Sequence, residues 1–155
     1  MKRTLTPEEI EQRACAYCAQ AEHCEQEIRE KLWQWGCSDT AEQQKIIDLL
    51  LQEDYINDER YCRAYCHDKV AYQGWGRVKI RMMLQSKRLP GHFVEKALQD
   101  ISAADYKKAL AKAVGKYSAE ERERTIRFAL QRGFEYNEIL EFLSSDHSSP
   151  LESEP

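Results

Sequence analysis

Six cysteines, at positions 15, 18, 24, 37, 62 and 66, are the residues of this chain with the widest chemical reach. Cys15-x-x-Cys18, with His23 and Cys24 close by, has the spacing of a zinc-ligand pair, and Cys62 and Cys66 stand one helical turn apart beside His67. Zinc pairs more often occupy a tight knuckle. Both pairs here fall in helical stretches, where they replace small apolar residues. The favoured reading is therefore reduced structural thiols acting as small hydrophobes, with no metal and no cofactor. A zinc or thiol switch on Cys15, Cys18 and Cys24 is the alternative, and it predicts bound metal. No secretory feature supports a disulfide framework. The histidines at 23, 67, 92 and 147 share no spacing with a carboxylate and a nucleophile. The acidic pairs Glu8/Glu9 and Glu120/Glu121 sit at helix starts, where the helix dipole accounts for them. No catalytic constellation emerges, and the chain is expected not to be an enzyme.

Gripping a charged partner is the chemistry that remains. The net charge of −4 hides a segregation of sign. Residues 1–59 carry 6 Lys/Arg against 14 Asp/Glu, a net of −8; residues 60–96 carry 9 against 2, a net of +7; residues 97–155 carry 8 against 11, a net of −3. A basic centre between acidic ends predicts contact with a polyanion or an acidic protein groove, unless the segments neutralise one another within the fold. The candidate contacts are Arg60, Arg63, Lys69, Arg77, Lys79, Arg81, Lys87 and Arg88. At about 100° per residue, Arg77, Arg81 and Arg88 fall within about 40° of one another, a basic ridge beside buried Ile80, Met83 and Leu84. Guanidinium forks suit phosphates and carboxylates. Trp75 either packs into its turn or stacks on a base. Trp33, Trp35, Tyr55, Tyr61, Tyr65, Phe128 and Phe134 are expected to pack.

The elements that must position these residues are helices throughout. Ala, Glu, Gln, Lys, Arg and Leu dominate, and β-branched residues are scattered. Thr6-Pro7-Glu8-Glu9 is a capping box opening a first helix to about Ala21. A second runs from about Glu25 to Trp35 and ends at Gly36; a third starts near Asp39. Asn57 caps a fourth, with Asp58 and Glu59 in its first turn. Gly74-Trp75-Gly76 breaks it, and a fifth spans Arg77 to about Lys87. Pro90-Gly91, Ser102 and Ser118 open the sixth, seventh and eighth, and a ninth spans about Tyr136 to Leu143. The Ser-, Glu- and Pro-rich tail from 144 to 155 is expected to be disordered.

Nine helices in a row fall into triplets. The middle helix of each carries an Ile-x-x-x-Leu pair (Ile28/Leu32, Ile80/Leu84, Ile126/Leu130), followed by a chain breaker at Gly36, Leu89-Pro90-Gly91 and Gly133. The leucines are 52 and 46 residues apart. The expected fold is all-α: three tandem three-helix repeats in an elongated, curved array, over 1–56 (acidic), 57–101 (basic, central) and 102–143. Such small units must lean on one another. No run approaches the length of a membrane span and no signal peptide is recognisable, so a cytoplasmic monomer is expected.

The pattern Tyr55-Ile56-Asn57-Asp58-Glu59-Arg60-Tyr61-x-x-Ala64-Tyr65, then Gly74-x-Gly76 and Ile80-x-x-x-Leu84, resembles the central signature of RecX regulatory proteins. Ile126 to Ile139 resembles that family's C-terminal repeat, and Glu25-x-x-Ile28-x-x-x-Leu32-x-x-x-Gly36 its N-terminal repeat. The chain departs from the family at Asp54, where a glycine usually precedes the Tyr, at Tyr61, where Phe is commoner, and at the cap positions Cys24 and Glu135. The resemblance implies tandem three-helix repeats that bind the RecA recombinase filament on single-stranded DNA, with indirect or weak direct contact to that DNA. It also implies damping of strand exchange and ATP hydrolysis, and so a role in recombination, DNA repair and the SOS response. A helix-turn-helix-like module acting on nucleic acid alone is the alternative.

Overall fold

The computed structural model describes residues 3–115 and 118–146. Among them are nine α-helices and no strand: α1 (Pro7–Gln20), α2 (Glu25–Gln34), α3 (Thr40–Gln52), α4 (Asp58–Ala71), α5 (Arg77–Ser86), α6 (Gly91–Gln99), α7 (Ala103–Val114), α8 (Arg122–Gln131) and α9 (Tyr136–Asp146). Side-chain caps start four of them, each satisfying a backbone donor that the helix leaves orphaned. Thr6 Oγ1 accepts from Glu9 N at 3.2 Å, Asp39 Oδ1 from Ala41 N at 2.8 Å, Asn57 Oδ1 from Arg60 N at 2.9 Å, and Ser102 Oγ from Asp105 N at 3.3 Å. The box at Ser118 opens a single 3-10 turn, Ala119–Glu121, from which α8 continues. The ninth helix runs on through Asp146, into the stretch expected to be tail; residues 147–155, His147 included, lie outside the described residues.

Each departure from the family pattern has a local answer. Asp54 has φ +59°, the left-handed conformation in which glycine is cheapest and Asp is tolerated. Arg60 secures it by bonding both the Asp54 carboxylate (3.2 Å) and its carbonyl (3.0 Å). At the start of α2 the Cys24 thiol donates to Glu27 Oε1 at 3.3 Å, and the Cys24 backbone N–H reaches the same oxygen at 3.4 Å. Tyr61, buried on α4, carries the hydroxyl that a Phe would lack, and that hydroxyl interacts with the Glu27 carboxylate. Glu135 needs no cap of its own, because its N–H donates to Glu138 Oε2 at 3.0 Å.

Two cores form. Ile10, Ala14, Ile28, Leu32, Ile47, Leu50 and Ile56 make the core of the first unit, α1–α3. The second and third units share a single core that runs from Cys62, Val70, Ile80 and Leu84 to Tyr106, Ala129, Phe134 and Ile139. Cys24 is the one residue of the first unit inside it. The helices α1, α2 and α3 pack on one another and make no more than marginal helix contacts with the other six, whereas α7 packs on α4 as well as on α8 and α9.

The third unit slips by one residue against the expected repeat. Leu32 and Leu84 are fully buried, but Leu130 is 41% exposed and Ala129 is fully buried in its place. The helix ends agree: Cys37 N bonds Leu32 O at 2.8 Å after left-handed Gly36, and Phe134 N bonds Ala129 O at 3.2 Å after left-handed Gly133. Phe128 on the same helix is exposed, as are Trp33 on α2 and Tyr55 after α3, and Met83 on α5 is more exposed than a core residue; these four depart from the expected packing.

Candidate partner-binding site

Between α4 and α5 the backbone of the second unit touches that of the third. Gly76 N donates to Arg132 O at 2.8 Å and Val78 N to Gly133 O at 3.0 Å. A Cβ on Gly76 would lie 2.3 Å from Gly133 O, and one on Gly133, at φ +98°, would lie 2.4 Å from Lys79 Cβ. Two glycines are therefore required at this crossing by space, and one of them by conformation.

This crossing draws Arg77 inwards. Its Nε donates to Leu98 O at 3.2 Å, its guanidinium lies 3.9 Å from the Tyr106 ring centroid, and Nη1 stands 3.7 Å from Glu138. The Tyr106 hydroxyl accepts from Arg77 N at 3.1 Å and bonds the Glu138 carboxylate at 3.1 Å. Burial, with the Glu138 charge beside it, pushes Tyr106 up to about 12, so the phenol stays protonated and can donate.

Arg81 and Arg60 are also engaged within the fold. Arg81 forms a fork on Glu95, at 2.7 and 3.1 Å, tying α5 to α6. The first unit makes the equivalent tie, 52 residues earlier at both ends: Arg29 on α2 bonds Gln43 on α3 at 3.3 Å. Arg60 pairs with Glu22 and with Asp54. Arg88 follows the end of α5 with φ +59° and so leaves the helix. The expected ridge of Arg77, Arg81 and Arg88 thus does not exist as a free surface, since two of its members hold helices together and the third is a turn residue. Sequence alone held one signal of this, the shared 52-residue register of Arg29/Gln43 and Arg81/Glu95.

Five of the eight candidate cations are in no ion pair among the described residues: Arg63, Lys69, Lys79, Lys87 and Arg88. Lys69 and Lys79 converge on one indole, their Nζ atoms 4.6 and 4.2 Å from the Trp75 centroid, so Trp75 serves both as packing and as a cation platform. Lys87 and Arg88 border a groove of about 460 Å³ between the first and second units, opposite Glu25, Glu30 and Asp58. Burial, together with Glu25, raises the pKa of Asp58. Lys87 and Arg88 thus share a groove with acids of the first unit, and the remaining three are not part of its lining.

Of the cysteines, Cys24 lies near enough to Lys87 to feel its charge, and burial still raises its pKa. Burial lifts Cys18 and Cys62 to about 11 and Cys66 to about 12, which keeps them as thiols at neutral pH. Among the described residues no three His, Cys, Asp or Glu side chains converge to hold a metal. No helix among them is long and apolar enough to cross a membrane.

Comparison with known proteins places this arrangement. Residues 57–98 match the family model described as RecX, second three-helix domain. The regulatory protein RecX of Shewanella oneidensis is 31% identical over 130 residues, covering 69% of this chain and 97% of that protein. The regulatory protein RecX of Leptothrix cholodnii is 28% identical over 141 residues, with 87% and 88% covered. The crystal structure of RecX from Lactobacillus salivarius superposes with a TM-score of 0.75 over 90% of this chain and 95% of that one. At 18% identity that likeness speaks for the fold.

Proposed function

The chain belongs to the RecX family of regulatory proteins, and from that premise we propose that it binds the RecA recombinase filament on single-stranded DNA and restrains it without catalysing a reaction. The observation that carries this proposal is the likeness to a RecX regulatory protein over almost that protein's whole length, at an identity of 31%. It is supported by the cations of the second unit that have no ion-pair partner among the described residues. These are Arg63, Lys69, Lys79, Lys87 and Arg88, although Lys69 and Lys79 lie on Trp75 and Lys87 and Arg88 share a groove with Glu25 and Glu30, while Arg60, Arg77 and Arg81 hold parts of the fold together. Three units over 1–56, 57–101 and 102–143 would lie along several protomers of a cytoplasmic filament. A monomer bridging protomers, or filling the space a second DNA needs, would slow both ATP hydrolysis and strand exchange.

The test is co-sedimentation with RecA filaments on single-stranded DNA, together with the rate of RecA ATP hydrolysis. Binding and a slower rate are expected. Full RecA activity at saturating added protein would overturn the proposal. Charge reversal at Arg63, Lys87 and Arg88 together is expected to weaken filament binding with helicity intact by circular dichroism.

A further inference from the structure

A second basic surface draws its cations from the third unit. The loop after α4 and the helices α7 and α8 enclose a groove of about 430 Å³ where the second and third units meet. Its floor is apolar and made of short side chains: Val70 and Ala109 are buried, with Ala113 beside them. Its walls carry Tyr72, 75% exposed, and Phe128, 45% exposed. Large apolar side chains left this open beside a concave floor mark contact surfaces more often than they decorate a monomer.

The rim is cationic. Lys108 and Lys112 stand one turn apart on α7, both exposed and neither in an ion pair with a described carboxylate. Arg132 borders the same groove with its guanidinium 5.4 Å from the Phe128 ring centroid. Asp105 is the single acidic residue of the lining, and it stands at the N-terminal end of α7.

We propose that this groove receives an acidic amphipathic helix of a protein partner. The floor takes aliphatic side chains, because Ala109 and Ala113 let a second backbone come close. Carboxylates one turn apart on the incoming helix meet Lys108 and Lys112, whose Cβ atoms, four residues apart on one helix face, are separated by about 5–6 Å. Asp105 repels acid at one end and so fixes the direction of the docked helix. A polynucleotide is less well served. Lys108 and Lys112 would meet phosphates as well as carboxylates, but base edges call for fixed donors and acceptors, and beside the apolar floor this lining offers only Gln73, the Tyr72 hydroxyl, the Asp105 carboxylate, which repels phosphate, and one guanidinium already laid on Phe128.

The inference rests on the proposed RecA interaction for its partner, and the experiment separates the two. Filament co-sedimentation is measured for the wild type, for K108E/K112E, for Ala113→Trp, which fills the slot without changing charge, and for the K107E control on the same helix. The expected result is about tenfold weaker binding for both groove variants, with K107E unchanged and helicity preserved. Wild-type-like binding by both groove variants would overturn this inference and leave the family proposal standing. Failure of the wild type itself would overturn both. Anisotropy of a labelled oligothymidylate, measured without RecA, supplies the last arm: parallel loss of oligonucleotide binding in both variants would assign the groove to nucleic acid and overturn the helix.

Discussion

The two junctions of this molecule are built on opposite principles. Between the second and third units, backbone meets backbone at Gly76 and Gly133, and a continuous apolar core runs beneath them. Between the first and second units the joint is made by side chains: Arg60 on Glu22, the Tyr61 hydroxyl on Glu27, whose carboxylate His23 and Cys24 hold from its own side, and the Cys24 thiol plugged into the neighbouring core. Glu22 even leaves its second carboxylate oxygen buried without a hydrogen-bond partner among the described residues. Packing of backbone on backbone tolerates almost no change, whereas long polar side chains can let go and return. The second and third units should therefore behave as one body, and the first as a body attached to it.

The largest test is Gly133→Ala. The new Cβ would overlap Lys79 and sit at φ +98°, so a loss of about 3 kcal/mol or more is expected in urea unfolding, in a transition shared by the second and third units. A loss below about 0.5 kcal/mol would break the contrast. Tyr106→Phe comes next. It strands Arg77 N and removes the bond to Glu138, for an expected cost of about 1–3 kcal/mol.

Arg60→Ala acts on the other junction. Both partners are about a third exposed, so the expected cost is at most about 1 kcal/mol. Its signature is faster hydrogen exchange around Glu22–Cys24 and Asp54–Tyr55, with α7–α9 unchanged. Acid should open the same joint first. Burial opposes the charge of Glu27, but Tyr61, Cys24 and His23 outweigh it and hold its pKa below the usual 4.5. A depressed carboxylate contributes stability above its unfolded pKa and loses it as the pH falls through the folded value, so the joint weakens below about pH 4.5. Glu27→Gln should flatten that limb. The smallest effect concerns the thiols: at pH 8 the partly exposed Cys15 and Cys37 should alkylate before Cys18, Cys62 and Cys66.

Local rules were legible in the chain, and relations across units were not. Thr6, Asp39, Asn57 and Ser102 announce their helices because a cap is decided within four residues. The left-handed turn at Asp54 was not read from the residues, and its one sign was the glycine that the family usually places there. The fate of an arginine, by contrast, depends on residues far along the sequence: Arg77 on Tyr106 and Glu138, Arg60 on Glu22. An angular count on one helix cannot see them. The slip that buries Ala129 and exposes Leu130 was missed on the Ile-x-x-x-Leu pair, although the terminating glycine carried it: Gly36 follows Leu32 by four residues, and Gly133 follows Ala129, not Leu130, by four. Charge sums misled in the third unit, where acids elsewhere mask the lysines of α7.

The close approach at Gly76 and Gly133 also dictates where this polypeptide tolerates dissection. A fragment beginning at residue 57 would keep that crossing whole and forfeit the plug at Cys24 and the side-chain partners of Arg60 and Tyr61. One ending at residue 101 would leave a raw apolar face and two unanswered amide groups, at Gly76 and Val78. Genetic shuffling of single triplets among homologues should accordingly succeed for the leading one and fail for either of the others alone.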